Sequence, residues 1–300
     1  MFKSPGPAIH GIAIVFLILG ILTTVPVVQR AQEYRDARNA YAQDLAITQR
    51  LLNPDEWIGN PEDIPYLADQ HERKLQISHL RSQSLIRAGM LGATFLLLLL
   101  GWLIAFRQKG KGTHRVIGVS MVALLCLGAG LTIPMLEIAA YEHQFSIDDL
   151  PIRTKIFGAN ISVNYSHEFP GDLYFFYQSK SALQLISTLL RQQNWVVGLS
   201  LILFSVLFPL AKTGITWIAA ARPALIDRRW FQRVVLTLGK WSMADVFVVA
   251  VFLGFLAFGN MQVGVPTESQ VLPGLYFFLG YCVLSVGLSQ SLRSERGNEV

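Results

Sequence analysis

Two ionisable residues stand where hydrocarbon is expected. Lys212 lies in the apolar run that begins at Trp195, and Asp245 lies a few residues into a later run that begins at Met243. At a helical rise of about 1.5 Å per residue, Lys212 sits roughly 25 Å along its run, still inside a hydrocarbon core about 30 Å thick. The Arg-rich turn between the runs returns the chain from the same side, so the two charges fall at similar depth and can pair. A charged side chain at the bilayer centre costs about 2.5 to 3.5 kcal/mol by insertion scales, so such residues are as a rule paired or functional. Simpler readings account for the same residues. Lys212 can carry its ammonium to the headgroups along an apolar stem. Asp245 completes Ser242-x-x-Asp245 before an apolar run, a helix-start pattern suited to the positive end of the helix dipole. These readings are compatible with a Lys212–Asp245 pair. Glu137, near the outer end of a third apolar run, is either an interfacial carboxylate or a further intramembrane polar contributor.

Motifs of covalent or nucleotide chemistry are absent from the sequence. It contains no Walker loop, no Gly-x-Ser-x-Gly, no His-Glu-x-x-His and no dinucleotide-binding glycine pattern. The two cysteines, Cys126 and Cys282, sit inside apolar runs and read as small apolar side chains, with no Cys-x-x-Cys metal site. The expectation is a protein that is not an enzyme, with no catalytic residue, no metal and no cofactor. Without a nucleotide site, any driving force the chain uses must come from an ion gradient or a partner.

The elements that must position these residues are membrane helices. Hydrophobic residues make up 52% of the 300-residue chain, and the mean hydropathy is +0.41, too apolar for an ordinary soluble domain. Six runs approach spanning length: Ile9 to Val28, Ala88 to Phe106, Val116 to Ala140, Trp195 to Ala219, Met243 to Phe258 and Pro273 to Leu292. The first, preceded by Lys3, reads as a retained anchor, since no small-x-small cleavage pattern precedes Gln29. Basic residues cluster on one side of a six-span arrangement. Arg107, Lys109, Lys111 and Arg115 fill one loop, and Arg222, Arg228, Arg229, Arg233 and Lys240 fill another, with Arg293 and Arg296 in the tail. The positive-inside rule makes that side cytoplasmic, with both termini inside and segments 29–87, 141–194 and 259–272 facing the opposite compartment. The net charge of +5 is then topological and implies no nucleic-acid partner.

Residues 31–52 place Tyr34, Ala37, Tyr41, Leu45, Thr48 and Leu52 at steps of three and four, one helical face. A Pro- and Gly-containing loop over 53–65 follows, and a second helical pattern from Tyr66 to Arg87 runs unbroken into the second apolar run. This predicts an antiparallel helical hairpin standing on two spans. In the third run, Gly118, Gly128 and Gly130 allow close helix approach and Pro134 loosens the last turns. In segment 141–194, residues 152–157 and 160–165 alternate apolar and polar around Gly158, predicting a short β-hairpin. Asp172 to Tyr177 supply aromatics suited to a membrane interface, and Ser181 to Arg191 read as an amphipathic helix.

Two motifs carry a resemblance. Ser205, Pro209 and Lys212 form Ser-x-x-x-Pro-x-x-Lys, and after the basic loop comes Trp241-Ser242-Met243-Ala244-Asp245-Val246-Phe247. Together they resemble the paraquat-inducible protein A family of bacterial inner-membrane proteins, in which Val is usual at the position of Ala244. The resemblance spans roughly Arg115 to Arg293. It implies a four-helix module with an outer β-containing loop and a role in moving or presenting membrane lipids at the inner membrane, beside a periplasmic MCE-domain partner. Many family members also carry cysteine-rich zinc-binding elements and a second copy of the module, and this sequence has neither. The expected fold is an all-α polytopic membrane protein of six transmembrane helices, with a periplasmic helical hairpin and a small periplasmic β-containing loop. Residues 1–114 form a two-span region bearing the hairpin 29–87, 115–293 the four-span module and 294–300 a cytoplasmic tail. The rival expectation is a membrane sensor or assembly protein whose hairpin binds a partner without lipid transport.

Overall fold

The structure, a computed structural model, describes residues 7–58, 64, 67, 69–106, 112–156, 159–221 and 266–297. In chain order, α1 (Pro7–Asp44) is followed by the short helices α2 (Ile47–Leu52) and α3 (Pro54–Ile58), then α4 (Gln70–Ala105) and α5 (Gly112–Thr132). Strands β1 (Leu136–Ile156) and β2 (Ala159–Lys180) lead to α6 (Ala182–Arg191) and α7 (Trp195–Ile202). A π-helical turn (Leu203–Leu207) joins α7 to α8 (Phe208–Ala221), and β3 (Thr267–Val271) leads into α9 (Pro273–Gly297).

Among the described residues, four helical stretches are long and apolar enough to cross a membrane: Ala13–Asp44, Gln70–Ala105, His114–Thr132 and Trp195–Ile218. The predicted fifth run, Met243 to Phe258, lies outside the described residues. The sixth forms α9, whose described apolar part, Pro273–Leu288, is shorter.

Helix α5 is the core of the apolar layer. Of its apolar window 72% is buried, against 17% to 22% in the other three. A helix that is hydrophobic on every side belongs inside a bundle, and α5 packs against α1, α4, α8 and α9. Ile117, Met121, Ala123 and Ala129 are fully buried there. Cys126 and Cys282 are both buried in the same core. Gly130 lets α9 approach, since a Cβ there would lie 2.7 Å from the Phe278 backbone nitrogen. Gly118 makes room for the Trp102 indole of α4 in the same way, whereas a Cβ on Gly128 meets no described atom within 4 Å. Around this core, Ile18, Leu22, Met90, Leu97, Val196 and Leu207 are exposed. Apolar side chains facing outward along spanning helices are what a lipid solvent calls for.

The predicted third span ends earlier than the sequence suggests. It stops at Thr132 and not at Ala140. Proline disfavours the helical region for the residue before it, so Ile133-Pro134 ends the helix and the chain turns extended at Leu136. The Met135 amide donates to the Lys180 carbonyl at 3.2 Å, and its own carbonyl accepts from the Leu272 amide at 2.9 Å. This crossing point pins the top of α5 to the end of β2 and the start of α9.

The polar layer is larger in β structure than the predicted loop. The strands are not the six-residue segments around Gly158; they run for 21 and 22 residues in an antiparallel ribbon. Register shifts interrupt it at Ala140/Tyr141, His143/Phe145 and Ile147/Leu150. Bulges of this kind bend a two-stranded ribbon and increase its twist. The sheet order is β2-β1-β3, and β3 pairs Leu136 through Ala140 with Val271 through Thr267, so segment 259–272 contributes a strand to the sheet. The predicted amphipathic helix forms as α6. Ser181 and Gln184 make a capping box at its start, which satisfies two amides that a helix leaves unpaired.

The helical hairpin is present, with α1 packed along α4. It does not stand alone. Tyr34, Tyr41, Ala42, Leu45 and Ile77 share one buried cluster with Ala139 and Tyr174 of the sheet. The predicted face fails at its tip, where Leu52 is 82% exposed and Arg50 is fully buried. Helix α1 ends at Asp44 because the Leu45 carbonyl is taken by the Tyr174 amide at 2.9 Å and Ala46 bridges to Tyr174. The new helix that starts at Ile47 turns a different face inward. Part of the predicted loop, Pro54–Ile58, is a further turn of helix.

Candidate functional site

Among the described residues, the polar chemistry concentrates where the hairpin leans on the sheet. Glu137 of β1 is 4% exposed. It accepts a hydrogen bond from the Tyr34 hydroxyl at 2.8 Å and faces Arg38 Nε at 3.4 Å. The Arg38 guanidinium in turn lies over the rings of Tyr41, Tyr174 and Tyr177, at 5.8, 5.6 and 5.7 Å from their centroids. A desolvated cation over aromatic faces is held by the ring quadrupoles. Glu137 therefore does not sit at the outer end of a helix. It is a buried strand residue whose charge is matched by a helix of the hairpin.

One step further along the seam stands Asp172, 2% exposed. It accepts from the Tyr41 hydroxyl at 3.2 Å, pairs with Lys74 Nζ at 2.7 Å and contacts His143 Nδ1. Arg50 closes the seam. Both it and Glu56 are wholly buried, joined by two hydrogen bonds of 2.6 and 2.9 Å. The guanidinium also donates to the Asp172 and Pro170 carbonyls at 3.1 and 3.0 Å. Its fork geometry lets one side chain serve a carboxylate and a strand backbone together. Trp57 stacks on His167, with centroids 5.0 Å apart, and covers this end.

The site shifts the phenols that surround it. Burial, then the Glu137 charge, pushes Tyr177 above the usual phenol range. Tyr141 is pushed up to about 12, chiefly by burial and then by its hydrogen bond to Glu268. Each phenol is kept neutral because a phenolate would be desolvated beside a carboxylate.

Between α1, α4 and the sheet lies a cleft of about 370 Å³, lined by Arg38, Lys74, Arg81, Glu137 and Gln270 with Leu85 at one end. Its volume falls within the range of small-molecule sites, roughly 300 to 1,000 Å³.

The residues singled out in the sequence are only partly brought into view. Ser205 is 3% exposed and lies in the π-helical turn. There the Phe208 amide reaches back to the Leu203 carbonyl, five residues away. Pro209 follows and is buried. It has no amide to offer the Ser205 carbonyl four residues before it, and its ring would crowd that carbonyl in a regular helix; the wider turn relieves the conflict. The Ser-x-x-x-Pro spacing thus has a backbone meaning. Lys212 is half-buried one turn on, and its carbonyl accepts from Thr216 Oγ1 at 2.8 Å. Asp245, with Trp241, Ser242 and Met243, lies outside the described residues, and so does any pair between Asp245 and Lys212.

Sequence reasoning missed the seam. Tyr34 and Tyr41 lie on the predicted helical face, but no local pattern singles out Arg38 or Arg50, and Asp172 only opens the predicted aromatic interface segment. Among the described residues, no three His, Cys, Asp or Glu side chains are grouped so as to hold a metal ion.

A family model described as Paraquat-inducible protein A matches residues 172–297. The match begins at Asp172 in β2, within the seam, and runs through β3 and α9. No curated relative and no solved structure matches the chain.

Proposed function

We propose, from the match of residues 172–297 to the paraquat-inducible protein A family, that this multi-pass membrane protein is an inner-membrane component of a lipid-transport or envelope-integrity system. It acts with a periplasmic MCE-domain partner. The family match is the observation that carries this reading. The geometry supports it with a spanning bundle, from whose polar end a long, bent β-ribbon projects as a docking element. In this reading both termini are cytoplasmic, the ribbon and the helical hairpin are periplasmic, and the region of Lys212 and Asp245 holds the inner ends of the helices together or forms a polar pocket.

The buried seam favours this reading over that of a sensor whose hairpin is a free-standing input arm. Arg50, Tyr41 and Tyr34 tie the hairpin to the sheet that the family match enters, so a load on one is felt by the other. The test is a crosslinked pull-down of the intact protein from its native membranes, analysed for co-purifying proteins and for bound phospholipid. Recovery of an MCE-domain protein together with enriched phospholipid is the expected result. A preparation carrying neither would overturn the proposal and advance the sensor or assembly role. Within the same proposal, Lys212→Ala or Asp245→Ala is expected to impair envelope function while the protein still inserts.

A further inference from the structure

The cleft between the hairpin and the sheet carries more positive charge than its own carboxylates neutralise. Arg38 is matched by Glu137 and Lys74 by Asp172. Arg81 lines the same cleft and has no carboxylate partner among the described residues. One cationic guanidinium is left facing the space.

The floor of the cleft has spare hydrogen-bonding capacity as well. Glu137 and Gln270 line the cleft as direct cross-strand partners; Ser179 pairs with Glu137 on its other side, behind the lining, and such partners share a face. Ser179 Oγ and Gln270 Oε1 are both buried without a hydrogen bond among the described residues. Leaving such groups unmet costs about 1–3 kcal/mol each. Rotation of the Gln270 amide presents either a donor or an acceptor to a ligand.

The cleft also has a polarity along its length. Lys74, Ser78, Arg81 and Leu85 line it at steps of four, three and four, one face of α4. The same face continues through Gly89, Gly92 and Leu96. A Cβ added at either glycine meets no described atom within 4 Å, and Leu96 is 57% exposed. Beyond Leu85 this face of the helix is therefore open and carries no side chain at Gly89 or Gly92. Arg81 stands about 10 Å along the helix axis from Ala88, where the apolar run begins, so its guanidinium falls at headgroup depth.

We propose that this cleft binds the phosphate of an anionic amphiphile, with Arg81 and Gln270 contacting the phosphate, Arg38 and Lys74 supplying its field, and an acyl chain lying along Gly89 and Gly92. A single excess charge suits a phosphodiester. The site rests on the lipid reading above for the class of molecule and deepens it by giving the headgroup a place. It lies outside the family-matched residues except for Gln270.

The experiment uses the full chain purified in detergent, with retained lipid counted by native mass spectrometry after addition of phosphatidylglycerol, phosphatidylcholine or inorganic phosphate. Retention of one phosphatidylglycerol in preference to phosphatidylcholine is expected. Arg81→Gln should lower that retention about tenfold or more, as loss of one charge-assisted contact does, and Arg81→Lys should restore most of it. Gly92→Phe should reduce lipid retention and leave phosphate binding intact. Unchanged thermal stability in Arg81→Gln shows that the loss is one of binding. Equal retention of phosphatidylglycerol in wild type, Arg81→Gln and Gly92→Phe would overturn the site, and binding of inorganic phosphate without lipid would overturn the amphiphile. The partner pull-down is independent: loss of the MCE-domain partner with phosphatidylglycerol retained removes the transport reading and leaves the cleft.

Discussion

The Tyr34 hydroxyl donates to Glu137 Oε2 at 2.8 Å, joining the first helix to the first strand across 103 positions of sequence. Both side chains are nearly out of solvent. A buried carboxylate is tolerated only where hydrogen bonds and a counter-charge replace water, and here Tyr34 supplies the first and Arg38 the second. The hairpin and the sheet therefore depend on each other.

Glu137→Ala should lower stability by about 1–3 kcal/mol, the cost of leaving buried polar partners unmet. Glu137→Gln, which keeps an acceptor for Tyr34 but removes the charge facing Arg38, should cost less. Thermal unfolding of the detergent-purified variants measures both. Equal, wild-type-like midpoints would show that the seam does not hold the hairpin.

Arg50 and Glu56 offer a double-mutant cycle. Breaking a buried ion pair from one side costs about 3–5 kcal/mol, whereas replacing both partners with apolar residues of similar volume is far milder. Arg50→Met should thus be more damaging than Arg50→Met combined with Glu56→Leu. Recovery should stay incomplete, because the Asp172 and Pro170 carbonyls lose their donor in both. Midpoints of thermal unfolding across the four proteins decide it, and strict additivity would contradict the pairing.

Two glycines two residues apart in α5 should behave differently. Gly130→Ala drives a methyl into the Phe278 backbone and must push α5 and α9 apart, so a lower melting temperature is expected, with overpacking typically costing about 1–3 kcal/mol. Gly128→Ala places its methyl where no described atom lies within 4 Å and should be neutral or slightly stabilising through helix propensity. A reversal of that order would mean that α9 does not pack on α5 as described.

Alkaline pH should loosen the seam. A phenol whose folded pKa is raised above the unfolded value of about 10 contributes stability that is whole below pH 10 and is lost as pH rises through the folded value. For Tyr141 that window runs from 10 to about 12. Spectrophotometric titration of the folded protein should show tyrosinate forming later than in the unfolded chain, and Tyr141→Phe should remove a late component. Coincident titration of folded and unfolded protein would contradict the burial of these phenols.

What the sequence determined by itself is the solvent of the protein and its local units. Apolar runs of spanning length, the charge-free stretches inside them, the Ser181-x-x-Gln184 cap and the Ser205/Pro209 spacing are local properties. Each depends on neighbours within one or two helical turns, so each could be read from the chain. The two motifs around Ser205 and Trp241 likewise pointed to the family that residues 172–297 match. Tertiary structure alone decided which polar residues meet. No local pattern marks Arg50 for burial, and it is buried because the Tyr174 amide takes the Leu45 carbonyl and ends α1, turning the next helix by a different angle. Glu137 looked like the end of a span, and it became a strand residue because Pro134 stopped the helix and β3 supplied a neighbour from more than a hundred residues away. Long-range pairing of this kind leaves no periodic trace, since the burial of a charge is set by what the rest of the chain places around it.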